Sequence, residues 1–436
     1  MYIIDQKLKE REASNNPIRV GVIGAGEMGK GLINQICRYT PGMVVAAVYN
    51  RTVSKAERAM HVAGVDRLSV VGSVTEMTSA IENGKTALTN EIDVLLECPE
   101  LDVLVELTGH ITFALENILK AFEKGKHVVS FNAELEATFG PLLKAKAAEY
   151  NVLYTLGDGD QPGVTQNLYR HVEMMGFEPL LCGNIKGLQD HYRNPSTQEA
   201  FAKQWEMTPE MATNFADGTK ISFEQAVTAN ANGLCLAQRG MIGPDYKGHI
   251  DEMTSGFYPD VDKLKELGGI VDYVVGGKPG PGVFVYATTK DPLSVKYLEY
   301  GKLGKGPLYS FYVPYHLLFF ELAFSIARLI DFEDVTLDAK HGMKVEVVTV
   351  AKEDMQPGDV IDRLGGYKTY GICDNTKEAR ADNLLPIGLA EDCVVKRPLK
   401  KDDLITLDDV EFHDLALLEK YKGQIMTSVV MDSPEV

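Results

Sequence analysis

The chain has 436 residues, 45% of them hydrophobic and 24% charged, with 40 glycines, the make-up of a globular protein of two to three domains. Its 62 acidic side chains outnumber the 44 lysines and arginines, for a net charge of −18. That sign argues against sequence-independent attraction to nucleic acid or anionic lipid, so no nucleic-acid or membrane partner is expected. No stretch approaches the roughly 20 uninterrupted apolar residues that span a bilayer, and the most lipid-like run, 317–330, contains Glu321 and Arg328. The first 16 residues mix Lys7, Lys9 and Arg11 with Asp5, Glu10 and Glu12. They lack the apolar core of a signal peptide, which makes the cytoplasm the expected location. Six scattered cysteines, at 37, 98, 182, 235, 373 and 393, form no Cys-x-x-Cys pair, and reduced thiols are expected.

From Ile18 to Leu156, short β-branched apolar runs alternate with amphipathic stretches of helical length, the pattern of a parallel sheet with crossover helices. Strands are predicted at 18–23, 43–49, 102–107, 127–131 and 152–156, and helices at 27–39, 112–124 and 134–150. The fold class is α/β, a Rossmann-type doubly wound parallel sheet. After Asp158 the alternation stops, and strands at 180–186, 270–275, 283–287 and 308–313 predict a second, α+β domain. A helix beginning near Pro314 and running to Ile330 is expected to pack back against the first domain. From 341 onward a strand at 344–350, a turn at 355–359 and the Gly365-Gly366 bend predict a β-rich third domain. The expected boundaries are 1–156, 157–340 and 341–436. Residues 331–436 hold 23 acids against 13 bases, so 10 of the 18 excess negative charges lie in this last part.

Val20-Gly21-Val22-Ile23-Gly24-Ala25-Gly26-Glu27-Met28-Gly29 is a G-x-G-x-x-G that follows a predicted strand and opens a predicted helix, the context that gives the pattern its meaning. Gly24 would make the tight turn, Gly26 would let backbone approach a pyrophosphate, and Gly29 would let the helix pack on the strand. Glu27 and Met28 lie in the same cofactor-facing turn, at the positive end of the helix. At the end of the second strand an acid would select NAD through the ribose 2′-hydroxyl. This chain has Asn50-Arg51-Thr52 there, with Ser54 and Lys55 close behind, a set that suits a 2′-phosphate and predicts NADPH. Thr108, Gly109 and Asn132 end the strands at 102–107 and 127–131, where open α/β sheets bind ligands, and are expected beside the nicotinamide ribose.

The loop Leu156-Gly157-Asp158-Gly159-Asp160-Gln161-Pro162-Gly163 places Asp158 and Asp160 where two carboxylates could hold a divalent cation or a substrate hydroxyl. They could equally cap the helix that starts near Pro162. Downstream, Lys186, Asp190 and His191 fall within one strand end and its loop. A desolvated lysine there could donate the proton that accompanies hydride transfer. Lys186 is the preferred acid/base and Lys220, in Asp217-Gly218-Thr219-Lys220, the second candidate. His191, also a catalytic candidate, is more often a structural hydrogen-bonding residue than a catalyst.

The fingerprint together with Val105 to Gly109 and with Gly125-Lys126-His127-Val128-Val129-Ser130-Phe131-Asn132 resembles the Rossmann domain of homoserine dehydrogenases. Gly304-Lys305-Gly306-Pro307, followed by a long helix, resembles that family's return segment. The chain departs from the family at Ala133-Glu134, where a lysine is usual. Gly371-Ile372-Cys373, Arg380 to Leu389 and Val395 to Pro398 resemble the SAF domain, a small β-rich module. The combination with the Asp-Gln-Pro-Gly loop resembles the 1-deoxy-D-xylulose 5-phosphate reductoisomerase-like oxidoreductases over nearly the whole chain. That resemblance implies NADPH-dependent conversion of 1-deoxy-D-xylulose 5-phosphate to 2-C-methyl-D-erythritol 4-phosphate in non-mevalonate isoprenoid biosynthesis. It also implies Mg or Mn, with Asp158 and Asp160 as ligands, a small phosphorylated sugar as substrate and a homodimer. The alternatives are an NAD(P)-dependent dehydrogenase or oxidoisomerase of sugar acids or homoserine-like hydroxy compounds, and, in another class, a non-catalytic NADPH-sensing protein.

Overall fold

The computed structural model describes residues 2–431, which divide into two compact units. The first comprises residues up to 136, 142–163 and 317–338, and the second comprises 137–141, 164–316 and 339 onward.

The first unit contains, in chain order, α1 (Tyr2–Ala13), β1 (Ile18–Ile23), α2 (Glu27–Tyr39), β2 (Met43–Tyr49), α3 (Val53–Val62), β3 (Leu68–Val70) and α4 (Val74–Glu82). β4 (Thr86–Thr89), α5 (Ile92–Glu97), β5 (Val103–Glu106), α6 (Ile111–Glu123), β6 (His127–Ser130), α7 (Ala133–Glu149) and β7 (Tyr154–Leu156) follow. Residues 137–141 of α7 cluster with the second unit. The seven strands form one parallel sheet in the order β3-β4-β2-β1-β5-β6-β7. The order reverses at β1/β5, the switch point that opens a crevice at the carboxyl ends of these strands. β1 and β5 are buried along almost their whole length, and strands covered on both faces read as continuous apolar runs. That is why both were legible. β3 and β4 were not: β3 has three residues, none buried, and β4 is Thr-Ala-Leu-Thr, so neither shows an apolar run.

The return helix joins this unit over Phe319–Phe332. It starts later than expected, because Leu318 has φ 52, a left-handed value that an α-helix cannot contain. The Leu318 N–H bonds to Gly159 O at 2.8 Å instead. Leu322, Ala323, Ile326, Ala327 and Leu329 of this helix share one core with Leu32, Ile33 and Ile36 of α2. A Cβ on Gly31 of α2 would lie 2.3 Å from the Phe319 ring, so the two helices can meet here only because position 31 has no side chain.

The second unit begins with most of α8 (Gln161–Met174) and continues through β8 (Glu178–Lys186), α9 (Pro195–Gln204), α10 (Pro209–Ala216) and α11 (Thr219–Asn232). α12 (Val261–Leu267), β9 (Ile270–Val275), β10 (Gly282–Thr288), α13 (Pro292–Tyr300) and β11 (Leu308–Val313) come next. The return helix is α14, and after it come β12 (Val345–Ala351), β13 (Thr369–Asn375), α15 (Thr376–Ala381), β14 (Val394–Val395), β15 (Val410–Glu411) and α16 (Leu415–Met431). The main sheet is mixed, in the order β11-β10-β8-β9, with only β8/β9 parallel. One face buries Leu181, Ile185, Phe284, Tyr286, Ile270 and Val274 beneath Ile250, Met253 and Leu264. Side chains alternate along a strand, so Asn184 and Lys186 project from the opposite face.

α11 is buried over nearly its whole length. The antiparallel β12/β13 pair packs on it: Gly371 N donates to Thr219 Oγ1 at 2.9 Å, Ser222 Oγ donates to Gly371 O at 3.2 Å, and Asn230 Oδ1 accepts from the N–H groups of Lys344 and Val345. The Tyr421 hydroxyl of α16 bonds the Glu346 carboxylate, and its ring meets Phe139 edge-on. No helix among the described residues is long and apolar enough to cross a membrane.

Candidate functional site

The first unit carries the glycine turn at the carboxyl end of β1. Gly24 has φ 103, a conformation that glycine adopts without penalty. A Cβ on Gly29 would lie 2.0 Å from Gly24 O, whereas one on Gly26 would meet nothing within 4 Å. Turn and helix are therefore packed tightly at Gly24 and Gly29 and open at Gly26. Gly26 is the N-cap of α2 and offers no side-chain cap bond, leaving the helix's positive end available to an anion. These residues fit a dinucleotide pyrophosphate. Glu27 is exposed and pairs with Lys30 at 3.0 Å, and Met28 is half-buried beside it.

Asn50 has work of its own. Its Oδ1 accepts the Ala25 N–H at 3.0 Å and its Nδ2 donates to Thr52 O at 2.8 Å, so it fastens the glycine turn to the end of β2. Arg51, Thr52, Ser54 and Lys55 are all exposed. α3 begins at Val53 with no side-chain cap from Thr52 and no acid in its first turn, so no acid of that turn opposes an anion there, although Glu91 acts with Arg51 on the neighbouring Tyr49.

At the ends of β5 and β6, Gly109 is exposed with φ 70. Thr108 is held by Glu106, for which the sequence allows a cap or surface role as readily as chemistry: Glu106 Oε1 accepts Thr108 N–H at 2.6 Å and also bonds its hydroxyl. Glu106 has no exposed surface, and burial pushes its carboxyl up to about 7 against the opposing pull of Thr108 and Asn132. Asn132 is buried and caps α7, its Oδ1 accepting Leu135 N–H at 3.0 Å.

Asp158 and Asp160 lie in a tight loop. Asp158 N–H donates to Ser325 Oγ at 2.7 Å, while Asp158 Oδ1 accepts Gly159 N–H at 2.8 Å and Asp160 Oδ1 accepts Gln161 N–H at 3.0 Å. Asp160 thus sits at the start of α8. Among the described residues, no three His, Cys, Asp or Glu side chains are grouped so as to hold a metal ion. The two aspartates alone do not make a metal cage.

The second unit holds the two lysines. Lys220, on the first turn of α11, has its Nζ 3.9 Å from Glu224 Oε1, and the other Glu224 oxygen accepts from Asn184 Nδ2 at 3.2 Å. Lys186 lies two residues beyond Asn184 on the same face of β8, and its Nζ donates to Phe215 O at 3.1 Å. The structure thus ties Lys220 to the β8 face that carries Lys186, through Glu224 and Asn184. Glu224 stands at i+4 from Lys220, a spacing that could have flagged it.

Asp190 and His191 are engaged locally. Asp190 pairs with Arg193 at 3.0 Å and accepts from Tyr192 N–H. His191 stacks on Tyr370 with ring centroids 4.6 Å apart, and its Nδ1 lies 2.7 Å from Asp217 O. Asp217 Oδ1 accepts Thr219 N–H at 2.9 Å, and its Oδ2 pairs with buried Lys352 at 2.8 Å. The Lys352 ammonium also donates to the carbonyls of Arg193 and Gly366.

Two protein families match the chain in succession: homoserine dehydrogenase, NAD binding domain, over residues 24–155, and oxidoreductase DRL, catalytic domain, over residues 159–322. The homoserine dehydrogenase of Pseudomonas aeruginosa is 34% identical over 137 residues, which is 31% of this chain and 28% of that protein. That of Methylobacillus glycogenes is 32% identical over 136 residues, 30% of each chain. The match thus spans less than a third of the length of these curated relatives. A solved homoserine dehydrogenase from Thiobacillus denitrificans aligns over 88% of this chain and 98% of its own at 15% identity, with a TM-score of 0.44. Fold and family matches together define a nicotinamide-nucleotide-binding Rossmann oxidoreductase. More particularly, its nucleotide domain is similar to that of homoserine dehydrogenases and the segment that follows is similar to the DRL catalytic domain.

Proposed function

We propose that the chain is an NADPH-dependent reductoisomerase that converts 1-deoxy-D-xylulose 5-phosphate to 2-C-methyl-D-erythritol 4-phosphate in isoprenoid biosynthesis, as a cytoplasmic homodimer. The observation that carries this reading is the Lys220–Glu224–Asn184 chain, which lies within the stretch matching the DRL catalytic domain. The preference for NADPH rests on the acid-free first turn of α3 with Arg51 and Lys55 beside it, since a guanidinium and the positive end of a helix suit a phosphate.

Rearrangement of the ketose phosphate gives a branched aldehyde without net redox change. Reduction then adds a hydride to the carbonyl carbon and a proton to its oxygen. When bound, the dihydronicotinamide supplies the hydride. Lys220, the second candidate from sequence, takes the acid's role ahead of Lys186 because its ammonium faces the Glu224 carboxylate whereas Lys186 donates to Phe215 O: it holds a proton at Nζ for that oxygen, Glu224 fixes the ammonium, and Asn184 fixes Glu224. Lys186, anchored on Phe215 O, offers a second cation for the substrate phosphate.

A dehydrogenase of an unphosphorylated hydroxy compound is the second reading, favoured by the 34% identity to a homoserine dehydrogenase within the nucleotide domain. Purified protein is assayed for NADPH oxidation with deoxyxylulose phosphate, with and without Mg or Mn, and for NADP reduction with homoserine and with an aldonate. Turnover on the sugar phosphate supports the first reading, and turnover on the other substrates alone replaces it with the second. Tight NADPH binding with no turnover on any of them points to a sensor.

A further inference from the structure

Beneath the nucleotide crevice lies a group of buried polar atoms that the proposed reaction does not use. Glu106 ends β5 and stands in register between Ile23 of β1 and Ser130 of β6. Its Oε1 holds both donors of Thr108, and the Thr108 methyl lies 3.3 Å from the point where a Cβ on Gly24 would sit. Glu106 therefore fixes the 107–109 turn against the glycine that shapes the pyrophosphate site. Among the described residues, Glu106 Oε2, Ser130 Oγ and Asn132 Nδ2 complete no hydrogen bond of good geometry, although Asn132 comes close enough to favour the charged carboxylate and Ser130 lies close to the Tyr154 hydroxyl. Buried polar atoms without partners are rare, and at a binding site they mark groups whose state changes with the ligand. An oxygen in that position can accept from the Asn132 amide when ionised, or donate to Ser130 Oγ when protonated.

We propose that Glu106 is a positioning residue of the nucleotide site, holding the 107–109 turn against Gly24 and taking up a proton when the dinucleotide binds. The inference rests on dinucleotide binding, and on no particular substrate. The other groups that act on Glu106 are Glu134, on the first turn of α7, and Tyr154 of β7, whose hydroxyl donates to Glu136 at 2.7 Å. A pyrophosphate at the α2 N-terminus adds negative charge to this set. Negative charge favours the neutral acid, and the Glu106 carboxyl, already raised to about 7, then gains a proton at neutral pH.

The test is calorimetric titration of the full chain with NADPH, and with NADH as a probe lacking the 2′-phosphate, at neutral pH in two buffers of different ionisation enthalpy. A group half-titrated at pH 7 can take up about half a proton per nucleotide. Wild type is expected to show that uptake with both nucleotides, and Glu106→Gln is expected to bind while losing it. Thr108→Val keeps the carboxylate but removes one donor to its charged form, and is expected to move the midpoint of uptake to higher pH. Equal proton counts in wild type and Glu106→Gln would overturn the proposal. If the glutamine variant fails to fold, an unmoved midpoint in Thr108→Val overturns it instead. A wild-type chain that binds neither nucleotide refutes the dinucleotide reading itself, and this inference falls with it.

Discussion

Replacing Lys352 by methionine removes the ammonium that joins Asp217, Arg193 and Gly366. The Lys352 side chain is 4% exposed and Asp217 is fully buried, so water does not take over the lost contacts. Asp217 Oδ2 and two backbone carbonyls lose their donor. Each buried acceptor left without a partner costs about 1–3 kcal/mol, and breaking a buried ion pair costs about 3–5 kcal/mol overall. We therefore expect Lys352→Met to lose about 3–5 kcal/mol locally. Adding Asp217→Asn removes the stranded charge but keeps an oxygen to accept Thr219 N–H, and should recover about half of the loss. Unfolding of a chain with two compact units need not be two-state, so the assay is hydrogen exchange of peptides covering 215–223, supported by thermal unfolding. A loss below about 0.5 kcal/mol, the range of ordinary surface changes, would refute the argument. So would a double variant less stable than Lys352→Met.

Arg51→Asp should raise KM for NADPH about 10- to 100-fold, the loss of one charge-assisted contact of roughly 1.5–3 kcal/mol, with little change for NADH. Equal effects on both nucleotides would remove the case for a 2′-phosphate site. Lys220→Ala should lower kcat about 100-fold or more, as for loss of a general acid, with a smaller loss in Asn184→Ala. An unchanged kcat in Lys220→Ala rules the lysine out as the proton donor. Gly31→Ala places a Cβ 2.3 Å from the Phe319 ring and should lower Tm, because overpacking of about 1–3 kcal/mol exceeds the roughly 1 kcal/mol gained in helix propensity. Glu106 binds its proton more tightly in the folded chain, about 7 against 4.5, so folding stability should fall as pH rises through that window, by about 3 kcal/mol at roughly 1.36 per unit. Urea midpoints measured across that range should fall more steeply in wild type than in Glu106→Gln, where buried Asp272, raised to about 6 by desolvation, still contributes a fall of the same sign.

The nucleotide half was legible because its signals are local. Gly24, Gly26 and Gly29 sit at fixed offsets after an apolar strand; the structure gives Gly24 a left-handed φ and Gly29 a close approach to Gly24 O, and leaves the space at Gly26 open. The central strands were legible because both their faces are covered. What stayed hidden depends on partners distant in sequence. Nothing around Glu106 reveals that it will be wholly buried, and Asn50 reads as a ligand-facing residue until its bond to Ala25 is seen. Asn184 meets Glu224 across 40 positions. The start of α14 was missed because a proline is a good first residue for a helix, whereas Leu318 ends up left-handed and bonded to Gly159. For His191 the sequence favours a structural hydrogen bond over catalysis, and the structure stacks it on Tyr370 and bonds it to a backbone carbonyl.

The proposed reduction of a rearranged sugar phosphate by NADPH is tested most directly by incubating the purified protein with NADPH deuterated at C4 and 1-deoxy-D-xylulose 5-phosphate, followed by NMR of the product. The expected product is 2-C-methyl-D-erythritol 4-phosphate carrying one deuterium on its new hydroxymethyl carbon. Unchanged substrate under conditions where the same protein transfers hydride to or from homoserine or an aldonate would contradict the proposal.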